Sequence, residues 1–262
     1  MIANYHTHTY RCHHARGTER GYIDTAIAGG IKYMGFSEHA PFIFPTGKES
    51  SHRMYMRDRF SYVEYLTELR EEYKDRIDLK IGFEMEYYPR FFKEMVSIAK
   101  DCGVEYLLLG QHCLDENDEV WSVRVGDSVE LLDTYVERVC EGMRTGVFSY
   151  LAHPDVVNFT GDKDVYLEKM RKICETSLET GLPLEINFWG VHENKHYPDP
   201  EFWKMAGEMG CDVVYGFDAH ERSSAYDAKG LERAEKLREE FGLKVVEVPK
   251  IIDIQKIDMS KI

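Results

Sequence analysis

Two histidines two residues apart, His6 and His8, follow a short apolar run from Ile2 to Tyr5. That run predicts a strand, and on an extended backbone side chains alternate with period two, so both imidazoles leave the same face. Neutral imidazole suits zinc, manganese or iron, and two side by side can grip one divalent cation. The same residue types recur along the chain in short groups: Ser37-Glu38-His39, Gly82-Phe83-Glu84, Gly110-Gln111-His112, His153-Pro154-Asp155 and Asp218-Ala219-His220. An acid such as Glu84 has two oxygens with which to bridge two ions. A single histidine after a strand is more often a hydrogen-bonded structural residue. Seven of the 11 histidines, however, fall in or near predicted strand-end loops (His6, His8, His14, His39, His112, His153 and His220). Packing that many imidazoles together without metal would leave buried polar groups unpaired, at about 1 to 3 kcal/mol each. A multinuclear metal site explains them, and the chemistry that follows is metal-assisted hydrolysis, in which paired ions lower the pKa of a shared water and clamp a phosphoryl group.

The elements that must position these residues alternate. After the first strand, helical spacing covers 18–28 and stops at Gly29-Gly30; strands are predicted over 31–37, 78–84, 106–110, 148–152, 183–186 and 212–216, with 243–248 as a closing or edge strand. Helices are predicted over 60–76, 91–100, 128–144, 166–180, 201–209 and 225–241, the first of these with Val63, Leu66, Leu69 and Tyr73 on its apolar face. The stretch Phe42 to Arg57, rich in Pro, Gly, Ser and Arg, has no period and predicts a loop of lid length. Repeated strand–helix alternation over this length predicts an α/β chain with a parallel, barrel-forming sheet. Almost every histidine and acid of interest then falls just after a strand, and in a barrel those positions converge on the C-terminal mouth.

Composition narrows the function. With 33 basic against 47 acidic residues and a formal charge of −14, no basic face is expected and nucleic acid is not an expected partner. An acidic enzyme still binds an anionic substrate where metal ions reverse the local sign. No apolar run is long enough to span a bilayer and no signal-peptide pattern opens the chain, so a cytoplasmic protein without a membrane partner is expected. No Pro/Gly/Ser-rich or charged linker divides the sequence, which predicts one domain over 1–262. The six cysteines are far apart without a CxxC pair, as expected of small core residues.

Taken together, His6-Thr7-His8, the distal His14, Ser37-Glu38-His39, Gly82-Phe83-Glu84, Gly110-Gln111-His112, His153-Pro154-Asp155 and Asp218-Ala219-His220 resemble the polymerase and histidinol phosphatase (PHP) superfamily. The stretches FSEHAPF (36–42) and GFEMEYYP (82–89) resemble its histidinol-phosphate phosphatase branch. The resemblance implies a distorted (β/α)7 TIM-like barrel with three divalent ions, Zn, Mn or Fe. It implies His6, His8, Glu84 and Asp218 on the first ion, Glu84, His112 and His153 on the second, and His14, His39 and His220 on the third. His14 is preferred to His13 because it lies eight residues beyond His6, the family spacing. Glu84, Asp218 and His220 would stand at the chemistry, and a hydroxide bridging the metals would attack phosphorus in line with the departing alkoxide. The implied enzyme is a phosphomonoesterase taking L-histidinol phosphate to L-histidinol in histidine biosynthesis.

The resemblance departs where substrate is read: branch members carry an Arg in the loop after the sixth strand, and the corresponding place here holds His192. Arg16, Arg53, Arg124 and Arg222 are candidate phosphate clamps, since guanidinium bonds phosphate oxygens in pairs. Trp189 and Phe42 to Phe44 either wall the pocket or pack the barrel rim; Glu86 either orients a ligand or is exposed; His13, His52 and His196 are expected at the surface. Competing readings are a PHP phosphoesterase for another small phosphate ester, an amidohydrolase, a nuclease module and a metal-holding sensor. The amidohydrolase reading lacks its bridging lysine, because the fourth strand ends in Gly110-Gln111-His112.

Overall fold

The computed structural model describes residues 1–262. Eight parallel strands form one sheet in chain order: β1 (Ala3–Asn4), β2 (Tyr33–His39), β3 (Asp78–Met85), β4 (Tyr106–Leu109), β5 (Phe148–Leu151), β6 (Leu184–Asn187), β7 (Asp212–Gly216) and β8 (Lys244–Val245). Between them run α1 (Glu19–Ala28), α2 (Arg59–Tyr73), α3 (Phe92–Cys102), α4 (Val129–Arg144), α5 (Lys163–Thr180), α6 (Phe188–His192), α7 (Pro200–Met209) and α8 (Ala228–Phe241). This is the TIM-like barrel the sequence implied, with the eighth strand an edge piece paired to the foot of β7 through Asp212 and Val213.

The seam of the barrel closes at its mouth. Beyond β1, Thr7 bridges Ala219 in parallel, with His8 N donating to the Ala219 carbonyl at 3.0 Å. Asn4 secures the same seam: its side-chain oxygen accepts from Phe217 N at 3.0 Å and its amide donates to Thr7 Oγ1 at 2.9 Å. At the other end the chain after β8 crosses the barrel floor, where Ile254 N donates to the Glu105 carbonyl and Ile252 N to Ser149 Oγ.

Strands buried on both faces read as continuous apolar runs, as in Tyr106–Leu109, because helices cover the outside and side chains fill the lumen. The larger core lies between sheet and helices; a small one of Ala3, Tyr5, Tyr106, Leu108, Tyr150 and Val214 fills the lumen under the mouth. Tyr106 donates to the Tyr5 carbonyl at 2.7 Å, and its ring takes space that a Cβ at Gly35 or Gly82 would occupy at 2.1 and 2.5 Å.

Helix starts follow capping chemistry. Thr18, Ser128, Asp162, Asp199 and Asp227 each accept a backbone N–H of the first turn of α1, α4, α5, α7 and α8. The cap at Asp162 starts α5 at Lys163, ahead of the expected Tyr166. Asp227 starts α8 after the expected Ala225, which belongs to a separate 3-10 turn, Arg222–Ala225. On α2 the buried side chains are Tyr62, Leu66, Leu69 and Tyr73, so the apolar face is centred on Tyr62 instead of Val63. The five-residue α6 was not anticipated; Asn187 caps it directly at the end of β6. All six cysteines are free and buried, and no helix is long and apolar enough to cross a membrane.

Candidate metal centre

Each strand delivers its residues to the same rim. His6 and His8 follow β1; His39 and Glu84 lie on the last residues of β2 and β3, paired in register; His112, His153 and Asp218 follow β4, β5 and β7. His153 and Asp218 have φ of 30° and 47°, a left-handed backbone that is costly for residues with a Cβ and turns the chain sharply at the strand end.

Glu84 is the hinge of the arrangement. Its Oε2 lies 3.4 Å from His6 Nε2, 3.5 Å from His8 Nε2 and 3.1 Å from His39 Nδ1, while its Oε1 lies 2.7 Å from His153 Nε2 and 3.3 Å from His112 Nε2. Asp218 Oδ1 completes the first group at 3.4 Å from His6 Nε2 and 3.1 Å from His8 Nε2. The rings of His14, His39 and His220 form a further group, with His14 Nε2 3.0 Å from His220 Nε2 and the His14 and His39 ring centres 5.2 Å apart. His39 stands between the groups, since it also faces Glu84.

The far nitrogens of five of these rings are already taken, while His153 Nδ1 is buried without a partner. His6 Nδ1 meets Glu185 at 2.8 and 3.1 Å, His8 Nδ1 meets Glu38 at 3.3 Å and His112 Nδ1 meets Glu86 at 3.2 Å. His14 and His220 donate from Nδ1 to the carbonyls of Cys12 and Asp218. A proton held at each Nδ1 leaves an Nε2 lone pair aimed inward. His6 and His8 then present two lone pairs only 3.1 Å apart, toward Glu84 Oε2 and Asp218 Oδ1, two buried oxygens that accept no hydrogen bond. Such a set is repulsive unless a cation sits among the atoms. The chain therefore carries His and carboxylate clusters that fit metal ions, such as His6, His8 and Glu84, or His8, His39 and His220, each with donor atoms within 4.8 Å of one another.

Without metal, protons answer the same field. Burial opposes charge on His6, but Glu185, Asp218 and Glu84 outweigh it and hold its pKa well above the ordinary value; His8 is raised to about 9 by Asp218 and Glu38 against the same burial. Burial would raise the carboxyls of Glu84 and Asp218, yet the surrounding imidazoles hold both well below the usual range. In the third group the balance reverses. Burial and the charge on neighbouring His8 push His39 and His220 down, and burial with His220 and His8 lowers His14 to about 4. Three imidazoles kept neutral are good ligands.

Two connected cavities, of about 160 and 230 Å3, open over the clusters and share His14, Trp189, Asp218 and His220. The first is walled by Trp121, Tyr197, Arg53 and His52. The second is walled by Arg16, His192, Glu193, Glu221 and Asp227. Of the expected substrate residues, Arg16 and His192 thus reach a cavity and Arg124 and Arg222 do not. Arg222 lies along α1, donating to Thr25 Oγ1 at 3.3 Å, and Arg124 is exposed at the end of the 3-10 turn Ser122–Arg124. Phe42 packs on Phe44, Tyr88 and Phe91 at the rim. His52 is exposed, as expected, and also lines the first cavity with its ring 4.9 Å from that of Trp121. Sequence reasoning missed Glu185, fully buried beneath His6; its signal was a lone acid inside an apolar strand, Leu184-Glu185-Ile186.

A model of the PHP domain matches residues 4–188. The chain belongs to the PHP family. Among its PHP relatives, a probable histidinol-phosphatase of Deinococcus radiodurans is 25% identical over 234 residues, covering 84% of this chain and 86% of the relative. The histidinol-phosphatase of Bacillus subtilis is 23% identical over 259 residues, covering 85% and 96%. The crystal structure of the Lactococcus lactis histidinol phosphate phosphatase, complexed with zinc, L-histidinol and phosphate, covers 98% of both chains at 20% identity and a TM-score of 0.73, which shows a shared PHP barrel.

Proposed function

We propose that this chain is a metal-dependent phosphomonoesterase that hydrolyses L-histidinol phosphate to L-histidinol and phosphate. The observation that carries the reading is Glu84, whose two oxygens face different sets of imidazoles and so suit a carboxylate shared by two ions. We assign His6, His8, Glu84 and Asp218 to one ion, Glu84, His112 and His153 to a second, and His14, His39 and His220 to a third, with zinc, manganese or iron as the metal. Bound there, the ions supply positive charge to the phosphoryl oxygens and make water at the site more acidic. The chain's own acids orient the ligands: Glu185, Glu38 and Glu86 hold the Nδ1 protons of His6, His8 and His112.

The second cavity suits the organic half of the ester. Histidinol carries an ammonium and an imidazole, and Glu193, Glu221 and Asp227 give this cavity an acidic wall beside Trp189. Relatives named histidinol-phosphatase that match over most of their length support the same substrate. His192, standing where branch members carry Arg, favours as a second reading a phosphoesterase for another small phosphate ester. Steady-state kinetics over histidinol phosphate, nucleotide monophosphates and sugar phosphates decides between them. We expect the highest kcat/KM for histidinol phosphate; a lower rank than generic esters rejects that substrate, and no turnover of any ester by the metal-loaded protein rejects the class.

A further inference from the structure

We infer that Arg53 is a positioning residue for the metal centre, carrying the placement of the 42–57 loop to His112 through Glu86. The inference rests on the proposal that His112 is a metal ligand. Arg53 is a loop residue only 4% exposed, and four of its five N–H groups are committed. Nη1 and Nη2 fork onto the two oxygens of Glu86, the latter at 2.6 Å, while Nε and Nη2 fork onto Asp118 at 3.1 and 2.7 Å. The Glu86 oxygen that takes Nη2 also faces His112 Nδ1 at 3.2 Å, and His112 Nε2 faces Glu84 Oε1 at 3.3 Å. A single relay therefore runs from this loop to the carboxylate proposed to bridge two ions.

The charges explain why an arginine is needed. Glu86 is 5% exposed, two residues from Glu84, and shares Arg53 with Asp118, so without Arg53 both acids lose the guanidinium that pairs with them. A planar guanidinium can hold two carboxylates at once, which an ammonium cannot match geometrically. The same commitment argues against Arg53 as a phosphate clamp, because its paired donors are already engaged by Glu86 and Asp118. The same loop reinforces the contact: Ser50 Oγ donates to Asp118 at 2.8 Å and Lys48 to the Asn117 carbonyl.

The test compares full-length wild type, Arg53→Ala and Arg53→Lys for metal bound per chain, metal affinity by chelator competition, and kcat and KM for histidinol phosphate. We expect Arg53→Ala to lose about 10- to 100-fold in affinity for its weakest ion. Its kcat should fall with KM little changed, and added guanidinium should restore both metal and kcat. Arg53→Lys, which keeps a cation against Glu86, should fall between. Unchanged metal affinity with a raised KM overturns the inference and makes Arg53 a substrate contact, and absence of rescue by guanidinium also counts against it. If Arg53→Ala does not fold, wild-type metal affinity in Arg53→Lys overturns it. A wild-type chain that binds no metal refutes the proposed function instead, so the two failures are separable.

Discussion

Replacing Glu185 by Gln should weaken the first metal site without touching any ligand atom. Glu185 is fully buried; Oε1 and Oε2 face His6 Nδ1 at 2.8 and 3.1 Å, and Oε2 also accepts from His153 N at 3.1 Å and Asn187 Nδ2 at 3.0 Å. Glutamine is nearly the same shape but brings one NH2. If that NH2 replaces Oε1, it opposes the His6 Nδ1 proton; if it replaces Oε2, it opposes the donors of His153 and Asn187. No orientation satisfies every donor, so at least one buried group is orphaned, at about 1 to 3 kcal/mol. In the first orientation the His6 ring loses the partner that aims Nε2 inward, and in the second the His153 backbone loses its anchor; loss of either support lowers metal affinity about 10- to 100-fold, or about 1.4 to 2.8 kcal/mol. Chelator competition followed by elemental analysis reads the affinity, and a thermal melt checks that the barrel is intact. Wild-type affinity in a folded Glu185→Gln chain refutes the reasoning.

Gly110→Ala should have a larger effect, since a Cβ there would lie 2.0 Å from Glu84 Oε1. Displacing the bridging carboxylate should cut turnover at least about a hundredfold with loss of metal, and retained activity with full metal content contradicts a bridging role. His14→Ala should release one ion of three while the other two stay, which elemental analysis measures directly; unchanged stoichiometry opposes the third site. In chelated protein, His8 is raised from 6.5 to about 9, so its contribution to stability is complete below pH 6.5 and lost as pH rises through about 9. That contribution is about 3 kcal/mol. Denaturant melts of the metal-free chain between pH 6.5 and 9.5 should show the decline, metal binding should tighten and release protons over the same range, and a pH-independent metal affinity argues against the displacement of that proton.

Much of this centre is legible in the sequence because strand ends are local features. The period-two spacing of His6 and His8, and the groups ending Gly82-Phe83-Glu84 and Gly110-Gln111-His112, put these side chains at the mouth once strands alternate with helices. Residues whose roles depend on neighbours across the barrel are not legible in this way. Glu185 meets His6 from 179 residues away, and Arg53 looks like any loop arginine until the 42–57 loop is seen to place it on Glu86 and Asp118. Arg222, two residues beyond His220, turns outward because the 3-10 turn it begins packs against α1, a choice made by tertiary contact and not by spacing. The start of α8 differs from the spacing for a local reason: helical periodicity runs through Ala225, but Asp227 supplies the cap.

The closure between Thr7 and Ala219 joins segments more than 200 residues apart, and the side chains flanking that joint, His6, His8, Asp218 and His220, are the ones assigned to cations. An ion held by both flanks would therefore rivet a seam between segments far apart in the chain, where loop-closure entropy is large. Stripping the ions should loosen this joint ahead of the sheet's middle, and the His8 amide, bonded to the Ala219 carbonyl, would report it as faster hydrogen exchange than that of the β3 and β4 amides.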